Sequence, residues 1–265
     1  MGEARRVLVV GARGRMGECV RAALAREPGL RLSAALEAPG HPELGRTLEH
    51  GVRLGDDARA ALAACDVAID FSQPASTLAT LRLAAEAGKA YVTGTTGFSE
   101  PERAELARLA QRIPLVHAPN FSVAVNVLAW LVREAVRRLG PGYDAEIVEL
   151  HHAAKRDAPS GTALQLASAV AEGRGESLDS RLVLERAGET GARPPGAIGV
   201  QALRGGDNPG EHTVMLLGRG ERLELAHRSQ TRDHFAEGAI RAARWLAGRP
   251  AGSYRFEEVL GLQPD

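Results

Sequence analysis

Short hydrophobic runs alternate with amphipathic segments through the first part of the chain. Runs rich in aliphatic and β-branched residues predict strands at 7–10, 30–36, 66–71, 90–93 and 114–117. Apolar positions at helical spacing predict helices at 15–26, 76–88 and 101–112. Because this alternation is typical of βαβ units with right-handed crossovers, we expect a parallel α/β sheet.

The pattern changes after Asn120. A long apolar helix is predicted at 124–139, a short helix at 163–171, and strands at 145–150, 181–186, 198–204, 212–217 and 222–229. Most of these strands are joined by loops, which is typical of an antiparallel or mixed sheet. We therefore predict a second, α+β domain that begins near residue 122.

The end of the chain is expected to return to the first domain. The last predicted helix, 234–246, and the segment 254–262 have no predicted strand partner of their own. The predicted organisation is a parallel-sheet domain made of 1–122 and 232–265, and an α+β domain made of 123–231.

Composition limits the classes of partner. The chain has 265 residues, 33 basic and 33 acidic, so its net charge of zero gives no general reason to bind nucleic acid or an anionic membrane. Charged residues interrupt the apolar runs before they reach the length of a membrane span. The two cysteines, Cys19 and Cys65, lack metal-ligand spacing and favour a reducing cytoplasm.

A glycine-rich turn joins the first predicted strand and helix. Its sequence is Gly11-Ala12-Arg13-Gly14-Arg15-Met16-Gly17, with G-x-x-G-x-x-G spacing in place of the common G-x-G-x-x-G. Backbone N–H groups at such a helix start can hold a pyrophosphate, although a tight βα connection alone also uses glycine. Glu37 ends the second predicted strand, where an acidic residue accepts hydrogen bonds from an adenosine ribose. Together they indicate a dinucleotide site.

The choice between NADH and NADPH stays open at this point. The Glu37 carboxylate would repel the extra phosphate of NADPH, whereas Arg13 or Arg15 on the adjoining turn could attract it. Two loops at the carboxyl ends of later strands can approach a nicotinamide ring: Gly94-Thr95-Thr96-Gly97 and Ala118-Pro119-Asn120-Phe121. Ordinary turn chemistry is the alternative for both loops.

Charged and hydroxyl side chains are densest between residues 149 and 163. Ser160-Gly161-Thr162 opens a predicted helix, whose N–H groups and hydroxyls would seat a carboxylate at the positive end of the dipole. Lys155, one of only two lysines, can neutralise or protonate a ligand, and His151 or His152 can move a proton near neutral pH.

This cluster has two simpler interpretations. Adjacent histidines on an extended segment point to opposite faces, and no third ligand has familiar spacing, so no metal is expected. A Ser/Thr helix cap explains Ser160 and Thr162 but does not explain the lysine at 155.

The whole set of motifs resembles the bacterial dihydrodipicolinate reductase family, also called 4-hydroxy-tetrahydrodipicolinate reductases, of the diaminopimelate and lysine pathway. The resemblance covers 7–262 and rests on the turn ending in G-R-M-G, Asp70-Phe71-Ser72, Gly94-Thr95-Thr96-Gly97-Phe98, Asn120-Phe121-Ser122, E-x-H-H-x-x-K-x-D-A-P-S-G-T-A at 149–163, Arg204-Gly205-Gly206-Asp207, Gly210-Glu211-His212-Thr213 and 229–235.

The resemblance implies a fold, a reaction and an assembly. It implies an N-terminal Rossmann-type parallel-sheet domain, completed by the C-terminal tail, and a second α+β mixed-sheet domain for substrate and oligomer contacts. NADH or NADPH would reduce a small cyclic dicarboxylate without a metal, in a homotetramer.

The resemblance also implies residue roles. His151 matches the proton donor and acceptor, and Lys155 matches a second proton donor. The substrate positions are His152, Ser160, Gly161 and Thr162; the dinucleotide positions are Gly11 to Gly17, Glu37, Gly94, Thr95, Thr96, Ala118, Pro119, Asn120 and Phe121.

One departure concerns the cofactor: Ala38 stands where many relatives carry an arginine for the adenosine phosphate, which favours NADH. Two other functions remain open. One is a Rossmann dehydrogenase that acts on another small dicarboxylate or cyclic imine. The other is a non-catalytic dinucleotide sensor; the presence of both His151 and Lys155 argues against it.

Overall fold

A computed structural model describes residues 4–262 of the chain. The chain divides into two compact units, Met1–Val123 with Arg232–Asp265, and Ala124–Thr231. The first predicted domain, 1–122 with 232–265, includes residues 1–3 and 263–265, which lie outside the described residues.

The elements are numbered in chain order. The strands are β1 (Arg5–Val10), β2 (Leu30–Leu36), β3 (Leu54–Gly55), β4 (Val67–Asp70), β5 (Ala90–Thr93), β6 (Pro114–His117), β7 (Asp144–His151), β8 (Leu182–Val183), β9 (Ile198–Arg204), β10 (Glu211–Leu217), β11 (Arg222–Arg228) and β12 (Gly252–Tyr254). The helices are α1 (Arg15–Leu24), α2 (Ala58–Ala63), α3 (Pro74–Glu86), α4 (Glu100–Ala110), α5 (Val123–Leu139), α6 (Gly161–Arg174), α7 (Asp233–Trp245) and α8 (Phe256–Leu260).

The first unit contains a seven-stranded parallel sheet in the order β12-β6-β5-β4-β1-β2-β3. The strand order reverses between β1 and β4. In an open α/β sheet, the loops at such a reversal diverge and leave a crevice beside the carboxyl ends of the strands. The glycine turn after β1 lies at this position.

Both faces of this sheet are buried, as expected for a parallel sheet. Successive residues of β1 alternate between two hydrophobic clusters, so Val7 and Val9 pack on one face and Leu8 and Val10 on the other. The first cluster includes residues of α1 and α7, and the second includes residues of α2, α3 and α4.

The C-terminal tail differs from its sequence prediction. It was expected to lack a strand partner, but β12 pairs in parallel with β6, with Tyr254 opposite Val116. The segment Gly252-Ser253-Tyr254 is short and has no hydrophobic run, so periodicity gives no strand signal there. Its partner on the sheet edge determines its conformation.

Three further differences are also local. The strand predicted at 181–186 is limited to β8, and Arg186 beyond its end forms an ion pair with Glu146. The short elements β3 and α2 were not predicted, since two and six residues carry little periodicity.

The second unit contains a mixed five-stranded sheet in the order β11-β10-β7-β9-β8. The strands β7, β9 and β8 are parallel, whereas β10 is antiparallel to both β7 and β11. Residues of α5 and α6, including Val132 and Leu166, pack with Ile147 and Val214 on one face of the sheet. A Rossmann-type sheet with a second mixed sheet confirms the predicted fold class.

Strand β7 carries the cluster singled out in the sequence. Its residues alternate in burial, so Ile147, Glu149 and His151 share the face that α5 and α6 cover. A carboxylate and an imidazole therefore lie at the edge of a hydrophobic core. Within residues 4–262, no helix is both long and apolar enough to cross a membrane.

Candidate functional site

The first unit has a cavity of about 700 Å³ beside the glycine turn. Four residues predicted from the sequence to hold a dinucleotide line it: Gly11, Arg13, Gly14 and Glu37. Ala38 lines it as well. The cavity lies at the reversal of strand order, where ligands bind in folds of this class.

The glycines of the turn are required by close packing. A Cβ on Gly17 would lie 2.1 Å from the carbonyl oxygen of Gly11, and one on Gly14 would lie 3.2 Å from the same atom. Gly11 itself has a left-handed φ of 66°. The turn therefore presents bare backbone to the cavity at the start of α1, which fits a dinucleotide pyrophosphate.

Glu37 reaches back from the end of β2 to this turn. Its Oε1 accepts a hydrogen bond from the Arg13 backbone N–H at 2.7 Å, and its Oε2 accepts one from the Ala38 N–H at 3.2 Å. The carboxylate is thus fixed at the cavity wall, where it can also accept ribose hydroxyls.

The charge of Arg13 is already paired. Its guanidinium lies 2.6 Å from Glu18 and 3.0 Å from Glu43. The hydrogen bond to Glu43 raises the pKa of Arg13, and the charges of Glu18 and Glu37 act in the same direction. Arg15 is exposed and does not line the cavity. Neither arginine is therefore a free cation directed into the cavity.

The two loops predicted to meet a nicotinamide share an aromatic neighbour. A Cβ on Gly94 would lie 2.1 Å from the Phe71 ring, and Phe121 forms an edge contact with that ring at 5.7 Å. Thr95 is buried and accepts a hydrogen bond from the Thr77 hydroxyl at 2.8 Å. The structure brings both loops together at the carboxyl ends of β4, β5 and β6.

The remaining predicted dinucleotide residues differ in exposure. Ala12, Ala118 and Phe121 are buried in the hydrophobic core, and Met16 packs against it. Asn120 is buried and its side-chain oxygen accepts the Ser122 N–H at 2.8 Å. Thr96 and Pro119 are exposed.

The second unit contains a fully buried carboxylate, Glu149. Its Oε2 lies 2.5 Å from His151 Nδ1, and the Arg204 guanidinium donates to both oxygens at 2.8 and 2.9 Å. The Ser160 N–H donates to Oε1 at 3.0 Å. Burial alone would raise the pKa of Glu149, but the hydrogen bonds from Arg204, His151 and Ser160 hold it below its ordinary value.

His151 is nearly buried at the end of β7. Burial lowers its pKa, the hydrogen bond to Glu149 partly opposes that effect, and the charges of Lys155 and Arg204 lower it further. Within residues 4–262, the hydrogen bonds of this side chain are all made by Nδ1. Its Nε2 is therefore available to a ligand.

Gly210 keeps that nitrogen open. A Cβ at this position would lie 2.8 Å from His151 Nε2, and the φ of 150° also favours glycine. Neither Gly210 nor Arg204 has a predicted role, although each begins one of the motifs on which the family resemblance rests.

Lys155 lies in the loop after β7. Its Nζ donates to both carboxylate oxygens of Asp157 at 2.9 and 2.8 Å. The Lys155 N–H also donates to the carbonyl of His152, which shapes the loop, and the N–H of His152 donates to Asn208. The lysine is thus held within electrostatic range of His151.

The predicted carboxylate seat lies at the start of α6. Ser160 is its N-cap, with a buried hydroxyl that accepts the Ala163 N–H at 3.1 Å. The same hydroxyl lies 3.0 Å from His212 Nε2. Gly161 is exposed and Thr162 is half-buried, whereas Ser160 is buried.

His212 is 4% exposed, and its ring makes an edge contact with that of His151 at 5.1 Å. Burial, with a smaller effect from His151, lowers the pKa of His212 to about 4. Within the described part of the chain, no group of three or more histidine, cysteine or acidic residues is placed to hold a metal ion.

Comparison with known proteins identifies the family. Residues 5–121 match the family model "Dihydrodipicolinate reductase, N-terminus", and residues 124–260 match "Dihydrodipicolinate reductase, C-terminus". The chain therefore belongs to the dihydrodipicolinate reductase family, which confirms the resemblance seen in its motifs.

Individual relatives agree with this assignment. The 4-hydroxy-tetrahydrodipicolinate reductase of Anaeromyxobacter dehalogenans strain 2CP-1 is 48% identical, in an alignment that covers 97% of this chain and 98% of that protein. The enzyme of the same name from Anaeromyxobacter sp. strain Fw109-5 is 49% identical over 262 residues, with the same coverage.

A solved structure has the same fold. The dipicolinate-bound dihydrodipicolinate reductase from Paenisporosarcina sp. TG-14 superposes with a TM-score of 0.80 at 24% identity, over 96% of this chain and 98% of that one. The relatives assign the activity: the chain is an NAD(P)H-dependent oxidoreductase that reduces 4-hydroxy-tetrahydrodipicolinate in diaminopimelate and lysine biosynthesis.

The buried His212 predicts a pH dependence of stability. The unfolded chain binds a proton at this histidine below about pH 6.5, whereas the folded chain binds it only near pH 4. Acidification between these values therefore favours unfolding, by up to about 3 kcal/mol at this residue. Urea unfolding of wild type and His212→Asn at several pH values should show a weaker acid loss in the variant.

The exposed His50 provides a matched control for this experiment. Asparagine tolerates its left-handed φ of 58°, so His50→Asn should leave the pH dependence as in wild type. Equal acid sensitivity of wild type and His212→Asn would show that His212 does not contribute.

Proposed function

We propose that the first unit binds NAD(P)H in the cavity beside the glycine turn, and that the second unit binds the cyclic dicarboxylate at His151. The observation that carries this assignment is the cluster around His151 Nε2. The imidazole contacts Glu149 through Nδ1, Lys155 lies within electrostatic range of His151, and Ser160 at the start of α6 donates to the same Glu149. The related enzyme solved with bound dipicolinate, itself a cyclic dicarboxylate, supports the same ligand class.

The second unit supplies positive charge for two carboxylates. Lys155 contributes an ammonium, which would have to exchange its pairing with Asp157 for the ligand, and the N–H groups of Gly161 and Thr162 lie at the N-terminus of a 14-residue helix. His152 is half-buried in the same loop and has a ring N–H to donate. Because Ser160 uses its hydroxyl as a cap, we assign it to holding the helix start beside the ligand.

The residues of the second unit supply protons. When bound, NAD(P)H supplies a hydride to C4 of the ring formed as hydroxy-tetrahydrodipicolinate loses water, and the neighbouring ring carbon takes up a proton. We assign that proton to His151 Nε2, with Lys155 as a second donor. A dianionic ligand would raise the pKa that burial has lowered at His151, so protonation would accompany binding.

This assignment predicts a loss of turnover on removal of either donor. With substrate formed in place from pyruvate and aspartate semialdehyde, wild type should oxidise NADH or NADPH rapidly. His151→Gln and Lys155→Ala should lower kcat by about 100-fold or more, because general acid catalysis has that magnitude. The measurement is the decrease in reduced-nicotinamide absorbance.

Lys89→Ala removes the other lysine, which donates to a backbone carbonyl in the first unit, and should keep turnover. A folded Lys155→Ala protein with full turnover would contradict the assigned role. Wild type that binds NADH but oxidises none of it would instead favour another imine substrate or a dinucleotide sensor.

We also propose that NADH is the preferred cofactor. The acidic Glu37 lines the cavity next to Ala38, and the nearby Arg13 is paired with two glutamates. An adenosine 2′-phosphate would therefore meet a carboxylate without a free cation beside it.

Replacement of Ala38 by arginine should change this preference. Ala38→Arg is expected to raise kcat/KM for NADPH by about 10-fold, which is 1.4 kcal/mol, because a guanidinium pairs well with phosphate. Ala38→Gln, of similar reach but uncharged, should not. Steady-state kinetics with both cofactors provide the test, and wild type that prefers NADPH would refute the proposal.

We further propose that the protein is a homotetramer assembled through its second unit. Support comes from the sheet face opposite α5 and α6, which carries apolar side chains in register on β7, β9 and β10: Val148, Leu150, Leu203, Met215 and Leu217. Leu203 is 51% exposed there.

The expected mass in light scattering is four times 28.0 kDa. Leu203→Arg should lower it, since a charge on a packed face is costly to bury. Leu131→Arg changes an exposed leucine on α5, away from that face, and should leave the mass unchanged. A wild-type mass equal to one chain would exclude the tetramer.

The state of the cysteines supports a cytoplasmic location, which we propose on this basis. Cys19 and Cys65 are both free thiols. Burial raises the pKa of Cys65 to about 11, so it stays a protonated core residue.

A further inference from the structure

Glu149 is an ionisable side chain in direct contact with His151. It is fully buried, and it uses both oxygens to accept hydrogen bonds from three other residues: His151, Ser160 and Arg204. A buried carboxylate is costly unless it is paired and hydrogen-bonded. This carboxylate meets both conditions and directly contacts the proposed proton donor.

We propose that Glu149 is the positioning residue for His151: it fixes which ring nitrogen carries the permanent proton, directs the other toward the ligand, and is itself held in place by Arg204 and the Ser160 N–H. This inference rests on the proposed role of His151 as the proton donor.

The contact with Glu149 fixes the tautomer of His151. A carboxylate only accepts hydrogen bonds, so the contact of 2.5 Å between Glu149 Oε2 and His151 Nδ1 requires a proton on Nδ1. Nε2 is then the nitrogen that gains and loses a proton during turnover. Gly210 leaves space next to Nε2 and none of the described residues occupies it with a hydrogen bond.

Arg204 and Ser160 fix the orientation of Glu149. The Arg204 fork contacts both of its oxygens, and the Ser160 N–H contacts one of them. Three directional donors leave the carboxylate a single orientation. Since Arg204 ends β9 and Ser160 caps α6, the imidazole is aligned by two further elements of the fold.

The protonation of His151 also depends on the charges around it. Three charged groups shift the pKa of His151: Glu149 on β7, Lys155 in the following loop and Arg204 on β9; the ring of His212 on β10 also contacts it. Glu149 stabilises the imidazolium, whereas Lys155 and Arg204 oppose it. Removal of Glu149 and removal of Arg204 should therefore shift the titration of His151 in opposite directions.

The experiment compares Glu149→Gln with Arg204→Gln. A proton donor is active below its pKa, so kcat/KM falls as the pH rises through that value. In Glu149→Gln this fall should move to lower pH by about one to three units, since a neighbouring opposite charge is lost. In Arg204→Gln it should move to higher pH. For Glu149→Gln we expect kcat to fall about 100-fold with little change in KM.

Glu146→Gln is the matched control. Glu146 is also on β7 and also pairs with two arginines, Arg186 and Arg193, but it points to the other face of the sheet. Its pH profile should equal that of wild type. Glu149→Asp, which keeps the charge, should recover part of the kcat lost in Glu149→Gln. Shifts of both glutamine variants in one direction, or no shift in Glu149→Gln, would overturn the proposal.

An NMR titration of the His151 imidazole, assigned by its absence in His151→Gln, gives a readout that needs no turnover. A lowered His151 pKa in Glu149→Gln would support the positioning role even if the proposed substrate were wrong. Turnover by wild type with an unchanged His151 titration in Glu149→Gln would instead reject the positioning role and leave the proposed function standing. If Glu149→Gln does not fold, Arg204→Gln and Glu149→Asp still show in which direction the His151 titration shifts.

Discussion

A single buried negative charge constrains the architecture of the second unit. A carboxylate removed from water is stable only when several donors surround it, and Glu149 receives them from a strand end, a neighbouring strand and a helix start. Each donor has to arrive from a separate element of the fold. The requirement to neutralise this charge therefore fixes how β7, β9 and α6 meet, and the same contacts align the imidazole of His151.

The first unit is constrained by close backbone packing at the glycine turn and not by a buried charge. Gly17 lets α1 approach the carbonyl of Gly11 more closely than any Cβ would allow, and Glu37 ties the end of β2 to the same turn. Close approach of helix and strand leaves N–H groups directed at the cavity. In both units the hydrogen-bonding groups are therefore in position before a ligand binds, so little reorganisation is needed on binding.

The sequence predicted best what depends on local pattern. Strands β2, β5 and β6 match their predicted bounds because each is a short apolar run with a clear boundary. The strand β12 was missed because its pairing with β6 depends on a partner far along the chain. The same holds for the site. His151 and Lys155 can be predicted from residue type and spacing. Arg204, more than fifty residues away, is placed beside them by strand pairing alone.

The charges around His151 also explain how one group can be neutral in the free protein and acidic in the complex. Burial and two nearby cations disfavour the imidazolium, while one carboxylate favours it. A ligand with two negative charges would reverse that balance on binding, since its carboxylates would neutralise the opposing cations. The donor would then acquire its proton only when a substrate is present to receive it. Such coupling requires that Glu149 remain ionised throughout, which is the condition that the Arg204 fork and the Ser160 N–H maintain.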